Sequence, residues 1–370
     1  MPNRLKPMNQ LTVGRLLTAC LAGLWLSAAT SASEAPPSST IADPLVGHSP
    51  AVLLDDSEPV YPRPALHENR EGWVRVGFEI NRDGRVVNAV VEESVGGSIF
   101  ETAALRSVGR WRFEPARLNG RPVAQLRNST IVTFALNERA RGSSQRFADR
   151  YNDILELIEK DQLERADALA RSVFDQWPLN LYELTKLWSL RAELSLIQND
   201  FRAAESALRK ATANRGRWLD ADAYRSLLLA RVHVDLEVGK FKKAIDLFDE
   251  LVAMDPDRSD ELTQTSQMIQ SLQNIIDSDQ TLATDGVIQR NEGCKACRDS
   301  WTFEPVRRTF TVAIIEGTLK ELVMNCTNVK VPFEFIVDKT WFLPAHSGQC
   351  EVALFGAAGT TFRVYQPAGP

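Results

Sequence analysis

Glu71-Gly72-Trp73-Val74-Arg75-Val76-Gly77-Phe78-Glu79-Ile80-Asn81-Arg82-Asp83-Gly84-Arg85-Val86-Val87 is the stretch whose pattern decides the fold around it. Val74, Val76, Phe78 and Ile80 alternate with Trp73, Arg75, Gly77 and Glu79, the period of a half-buried strand. Asp83-Gly84 supplies hairpin-turn chemistry because glycine accepts positive φ, so residues 73–93 read as two antiparallel strands. Ser98-Ile99-Phe100-Glu101 has the spacing of a capping box that opens a helix. Phe100, Ala104, Val108 and Trp111 then fall on one face of that helix, which can cover the hairpin. The helix is expected to stop before Pro115, and Asn119-Gly120 marks a turn before a third strand over residues 129–136.

This ββαβ order is preceded by Pro59-Val60-Tyr61-Pro62 and its helix is followed by Arg110-Trp111-Arg112-Phe113-Glu114-Pro115. Together they resemble the C-terminal domain of TonB proteins, the periplasmic energy transducers of Gram-negative outer-membrane transport. The resemblance implies that Ser129, Thr130, Ile131, Val132, Thr133 and Phe134 form the outer strand of a small open sheet. Such an edge takes an extended peptide by strand addition, here the TonB box of an outer-membrane TonB-dependent receptor. It further implies docking near Tyr61, Pro62, Arg110 and Arg112, with Tyr61 packing on the peptide and an arginine meeting an acidic residue in it. The plainer role for those arginines is that of solvated helix-end charges. The same edge could instead pair with a second copy to give a homodimer. The implied role is transport of substrates such as siderophores. The rival is an envelope scaffold acting through helical repeats.

The 370 residues allow two or three domains, and 44% hydrophobic with 25% charged residues is ordinary for a globular chain. A net charge of −5 argues against nucleic acid as a partner. No nucleotide-binding loop or zinc-protease motif appears, and His48, His67, His233 and His346 lie far apart, so neither catalysis nor a cofactor or metal is expected.

Residues 1–15 are basic, residues 16–29 are mostly apolar, and Thr30-Ser31-Ala32-Ser33 offers small residues for cleavage, the make-up of a secretory signal leading to the periplasm. The apolar run is short of the roughly 20 residues a spanning helix needs, which disfavours an inner-membrane anchor. Leu17-Thr18-Ala19-Cys20 resembles a lipoprotein box, but almost no apolar run precedes Cys20. A cleaved leader and a short linker depart from the TonB pattern of a retained anchor and a long Pro- and Lys-rich arm. The resemblance therefore supports the binding end of such a protein better than its energy-transducing end.

From about residue 143 the spacing becomes helical. Leu163-Glu164-Arg165-Ala166, Phe201-Arg202-Ala203-Ala204 and Phe241-Lys242-Lys243-Ala244 each open a helix that follows another, about every forty residues. Small alanines and packing aromatics such as Trp188, Phe201 and Phe248 make these units TPR-like. Arg209, Lys210, Arg215, Arg217, Lys240, Lys242 and Lys243 read as a solvated basic face.

Beyond Gly286 the chain turns β-rich, with five strand-like segments and Cys294, Cys297, Cys326 and Cys350. In an oxidising compartment disulfides are favoured over zinc. Four cysteines allow three connectivities, and the preferred one is Cys326–Cys350 with Cys294–Cys297, because the later pair lies in strand-like segments that can face each other. The expected fold class is α+β multidomain. It comprises a signal peptide (1–33), a linker (34–57), a ββαβ TonB C-terminal-like domain (58–138), all-α TPR-like helical hairpins (143–280) and a small disulfide-bonded all-β domain (286–370).

Overall fold

The computed structural model describes residues 48–136, 142–254, 262–290, 298–326, 330–343 and 350–368. The expected signal peptide, residues 34–47 of the expected linker, and the proposed Cys294–Cys297 bridge lie outside the described residues. Among those described, no helix is long and apolar enough to cross a membrane.

The N-terminal domain contains β1 (His48–Ser49), β2 (Val52–Asp55), α1 (Arg63–His67), β3 (Gly72–Ile80), β4 (Val86–Val95), α2 (Ser98–Val108), β5 (Arg112–Glu114), β6 (Arg117–Leu118), β7 (Arg121–Pro122) and β8 (Gln125–Phe134). The main sheet is antiparallel in the order β4-β3-β8, with Val74 opposite Ser94 on one side and Val132 on the other. Helix α2 lies on one face, where Phe100, Ala104 and Val108 are fully buried with Val74, Val76, Phe78, Ile80, Val132 and Phe134. Gly84, at φ 73°, turns the β3–β4 hairpin and accepts the Phe113 amide at 2.9 Å, which leaves no room for a side chain there.

Three local expectations differ. Ser98 is the first helical residue of α2 and not its cap. Gly97 holds the cap position at φ 104° without a side-chain bond, so Glu101 accepts from Ser94 Oγ at 2.5 Å instead. The third strand starts at Gln125, because a register shift beside Phe78 is bridged by Asn128 Nδ2, which donates to Phe78 O and Gln125 O. Residues 48–55, expected in the linker, pair instead with β6 and β5 and so complete the domain's small flanking ladders.

The middle of the chain forms hairpins α3 (Gln145–Glu159) with α4 (Leu163–Gln176), α5 (Leu181–Ile197) with α6 (Phe201–Ala211), and α7 (Ala221–Glu237) with α8 (Phe241–Met254), then α9 (Thr263–Ile276). The three hairpin turns are copies of one another. Asp161, Asn199 and Gly239 take positive φ, and the next residue donates to the carbonyls of Leu157, Ser195 and Asp235 at 2.8, 2.9 and 2.7 Å. That is a helix C-terminus closed by a left-handed residue, repeated at each joint. Side chains of Ser144, Asn180, Asp200 and Asp220 cap the amides at the starts of α3, α5, α6 and α7.

The C-terminal unit has β9 (Leu282–Val287), β10 (Ser300–Phe303), β11 (Thr309–Glu316), β12 (Leu319–Cys326), β13 (Lys330–Glu334), β14 (Thr340–Phe342), β15 (Cys350–Gly356) and β16 (Thr361–Gln366). Two antiparallel sheets, β10-β15-β12-β13 and β14-β11-β16-β9, enclose Phe310, Val312, Leu322, Val352, Leu354, Phe362 and Val364 as a sandwich. Cys326 lies opposite Cys350 in the ladder and the two are joined by a disulfide. Arg307 ties this unit to the helices by donating to the carbonyls of Ile275, Ile276 and Ser278 at the end of α9, where a cation suits the helix dipole.

Candidate functional site

β8 is the outer strand of the β4-β3-β8 sheet, and among the described residues it pairs with β3 alone. One side of its backbone therefore has no strand partner among the described residues, although β12 of the C-terminal unit comes close to this strand. Its side chains alternate. Val132 and Phe134 sit in the core under α2, while Ile131 packs against the helical hairpins and Thr133 Oγ1 donates to Asn214 Oδ1 at 3.1 Å. Ser129 Oγ donates to Glu92 Oε2 at 2.8 Å across the face of β3. That reach passes directly over Gly77, where a Cβ would collide with the Glu92 carboxylate, so glycine at 77 is what allows it.

The structure does not gather the remaining expected contacts into one place. Tyr61 sits at the Gly72 end of the sheet, edge-on to Phe100 and Phe134 at centroid distances of 6.0 and 5.8 Å, and its hydroxyl donates to Arg70 O at 2.6 Å. Burial, with Glu71 nearby, raises its pKa to about 12. Both ends of this side chain are thus engaged inside the domain. Pro62 precedes α1 at its cap position. Arg110 is exposed in the turn after α2. Arg112 lies on β5 beside the β3–β4 hairpin, its guanidinium donating to the carbonyls of Arg110 and Trp111 at 3.1 and 2.9 Å. Tyr61 and Arg112 are therefore near opposite ends of a nine-residue strand, about 25 Å apart along it at roughly 3.3 Å per residue.

The second face of the sheet is not open to water at its Gly72 end. Trp73 and Val95 join a core with Phe147, Leu181, Leu187 and Trp218 of the helical unit, so β3 is buried on both faces there. Glu71, 6% exposed, accepts the amides of Leu136 at 2.6 Å and Leu181 at 2.8 Å, pinning the end of β8 to the start of α5. Arg209, Lys240 and Lys243, expected on a solvated face, instead converge on buried carboxylates. Arg209 reaches Glu93 of β4 at 3.0 Å and Glu205 at 3.3 Å, and Lys240 reaches Glu205 at 3.0 Å. Burial opposes the Glu205 charge, yet Lys240, Arg209 and Lys243 hold its pKa below the usual carboxylate value. Sequence reasoning missed Glu71 and Glu93 because an acidic residue in an alternating strand reads as solvent-facing. The only hint was Trp73, a large aromatic on the face expected to be wet.

The family model for the Gram-negative bacterial TonB protein C-terminal matches residues 57–136, a span that ends just after β8. Residues 57–136 form a TonB C-terminal domain. "Protein TonB" of Pseudomonas aeruginosa is 37% identical over 100 residues, covering 25% of this chain and 29% of that relative. "Protein TonB" of Escherichia coli K12 is 32% identical over 96 residues, covering 26% and 37%. The chain thus spans well under half the length of these relatives. The solution NMR structure of the Pseudomonas aeruginosa TonB CTD is 35% identical, covering 25% of this chain and 92% of that one, with a TM-score of 0.23. Against this TonB C-terminal domain the chain sets its helical hairpins, whose residues 145–218 close the second sheet face.

Proposed function

We propose that this protein is a periplasmic, non-enzymatic TonB-type binding protein whose β8 edge takes the TonB box of an outer-membrane receptor by strand addition, in transport of substrates such as siderophores. The observation that carries this reading is the TonB C-terminal match over residues 57–136, with β8 left as an edge strand. Main-chain bonds along Ser129, Thr130, Ile131, Val132, Thr133 and Phe134 supply the affinity, and the alternate side chains facing the core or the helices keep the edge flat and fixed. Tyr61 acts from beneath by holding Phe134, and the exposed Arg110 is the arginine free to meet an acidic peptide residue.

The scaffold reading has less support, since α3 to α6 spend apolar surface on Trp73 and Val95. The test is hydrogen exchange on the full chain, titrated with receptor N-terminal peptides. Slowed exchange along β8 supports the proposal. If no TonB-box peptide protects β8, or if β8 is protected only as the protein's own concentration rises, receptor coupling fails, and in the second case a homodimer occupies the edge.

A further inference from the structure

Two further edge strands, among the described residues, lie in the C-terminal sandwich. β9 ends one sheet and β10 the other, and among the described residues the backbones of these two edges meet at the Gln289–Ser300 bridge. Beyond that bridge both edges line a cleft of about 690 Å³, whose far wall is the α7–α8 turn and α9. A volume of that size lies within the roughly 300–1,000 Å³ of pockets built for ligands, and such pockets favour boundaries between units.

The floor of the cleft is aromatic, with Trp301 and Phe303 stacked at 5.1 Å, and Met268 and Leu272 of α9 add apolar lining on the far wall. Its charge is lopsided. Glu237, Glu304 and Glu351 line it half-buried and form no ion pair among the described residues. The other charges are largely spent, because Asp285 is held by Arg363 and Lys240 by Glu205. Arg202, exposed at the rim, is the one lining cation without such a partner among the described residues.

We infer that this cleft binds an extended, basic peptide segment, added as a strand to a sandwich edge with its Lys or Arg side chains meeting Glu237, Glu304 and Glu351. Half-removed from water, the three carboxylates favour a cation that replaces lost solvation. The Trp301 and Phe303 rings accept both the cationic heads and the aliphatic stems of such residues. The strand edges supply main-chain partners, which a compact neutral ligand would leave unused.

The test titrates the full chain calorimetrically with three blocked hexapeptides: alternating Val-Lys, alternating Val-Glu, and Val-Lys with every second backbone amide N-methylated. The Val-Lys peptide is expected to bind, the Val-Glu peptide at least about tenfold more weakly, and the N-methylated peptide likewise about tenfold more weakly. Glu304→Gln combined with Glu351→Gln is expected to weaken Val-Lys binding, while Glu159→Gln, on the exposed end of α3, leaves it unchanged. Equal affinity for the Val-Lys and Val-Glu peptides, undiminished binding of the N-methylated form, or no binding of the Val-Lys peptide at all would overturn the inference. So would hydrogen exchange showing that this peptide protects β8 rather than β9 or β10. Because β8 reports separately in that exchange experiment, failure here leaves the receptor proposal standing, and the reverse also holds.

Discussion

Replacing Glu71 with alanine removes the carboxylate that joins the TonB C-terminal domain to the helices. Its two oxygens accept the Leu136 and Leu181 amides at 2.6 and 2.8 Å from a position 6% exposed, so water cannot readily take their place. Hydrogen bonds to a charged group contribute about 1.5–3 kcal/mol each. An acid beside Leu181, the first residue of α5, adds about 0.3–1 kcal/mol through the helix dipole. Because such terms are not fully additive, the expected loss is about 4 kcal/mol. Glu71→Gln keeps one acceptor and turns an NH2 group toward the other amide, so its expected loss is about half as large. The assay is denaturant unfolding combined with hydrogen exchange at Leu136 and Leu181, since a chain of several units need not unfold in one step. Both amides should exchange faster in Glu71→Ala. A loss below about 1 kcal/mol with unchanged exchange at both amides would refute the clamp.

Gly72→Ala drives a Cβ into Val95 O and the Phe100 ring and is expected to cost about 3 kcal/mol. Gly77→Ala meets only the mobile end of Glu92, so thermal unfolding should show a much smaller loss, with the Ser129 bond broken. Asp235 is fully buried beside Arg231 at 3.7 Å, and burial pushes its pKa up from 3.8 to about 6. The folded state therefore holds a proton that the unfolded chain has released between those values. The Asp235 contribution to stability is greatest below about pH 4 and falls as pH rises towards 6, and Asp235→Asn should flatten that slope in denaturation curves taken from pH 4 to 7. Reducing Cys326–Cys350 opens a loop with a sequence separation of 24, which on the loop-entropy account costs about 3 kcal/mol. Melting with and without reductant measures the cost, and non-reducing peptide mapping checks the pairing.

The alternation of Val74, Val76, Phe78 and Ile80 made β3 and the face under α2 legible, because a period of two records which side of a strand is dry. It records only the nearer partner. The second face is dried by Phe147, Leu181 and Trp218, which lie far along the chain, and no local period carries that information. Arg209 was misread for the same reason: on its own helix it belongs to a polar stripe, and its partner Glu93 comes from another domain. The helical joints were more legible, since a left-handed residue followed by a helix-opening Leu or Phe is a local motif. The start of β8 was not, because Gln125 and Asn128 extend the ladder through side-chain bonds that a hydrophobic pattern does not show. For the proposed binding edge, the sequence pattern indicates the strand and the family resemblance its outer place, and the order β4-β3-β8 among the described residues agrees with both.

The two-faced burial of β3 bears on the order in which this chain acquires its shape. Made from the N-terminus, the ββαβ segment is complete once β8 emerges, and α2 can close one side of the sheet immediately. The other side, with Trp73, Val95 and Ile131, must wait for α3 to α6 and for Trp218. During that interval the young domain presents an apolar surface beside an unpaired strand edge, the combination most prone to misassociation. The helical hairpins thus end a hazardous stage in the life of the nascent chain as well as extending the finished protein.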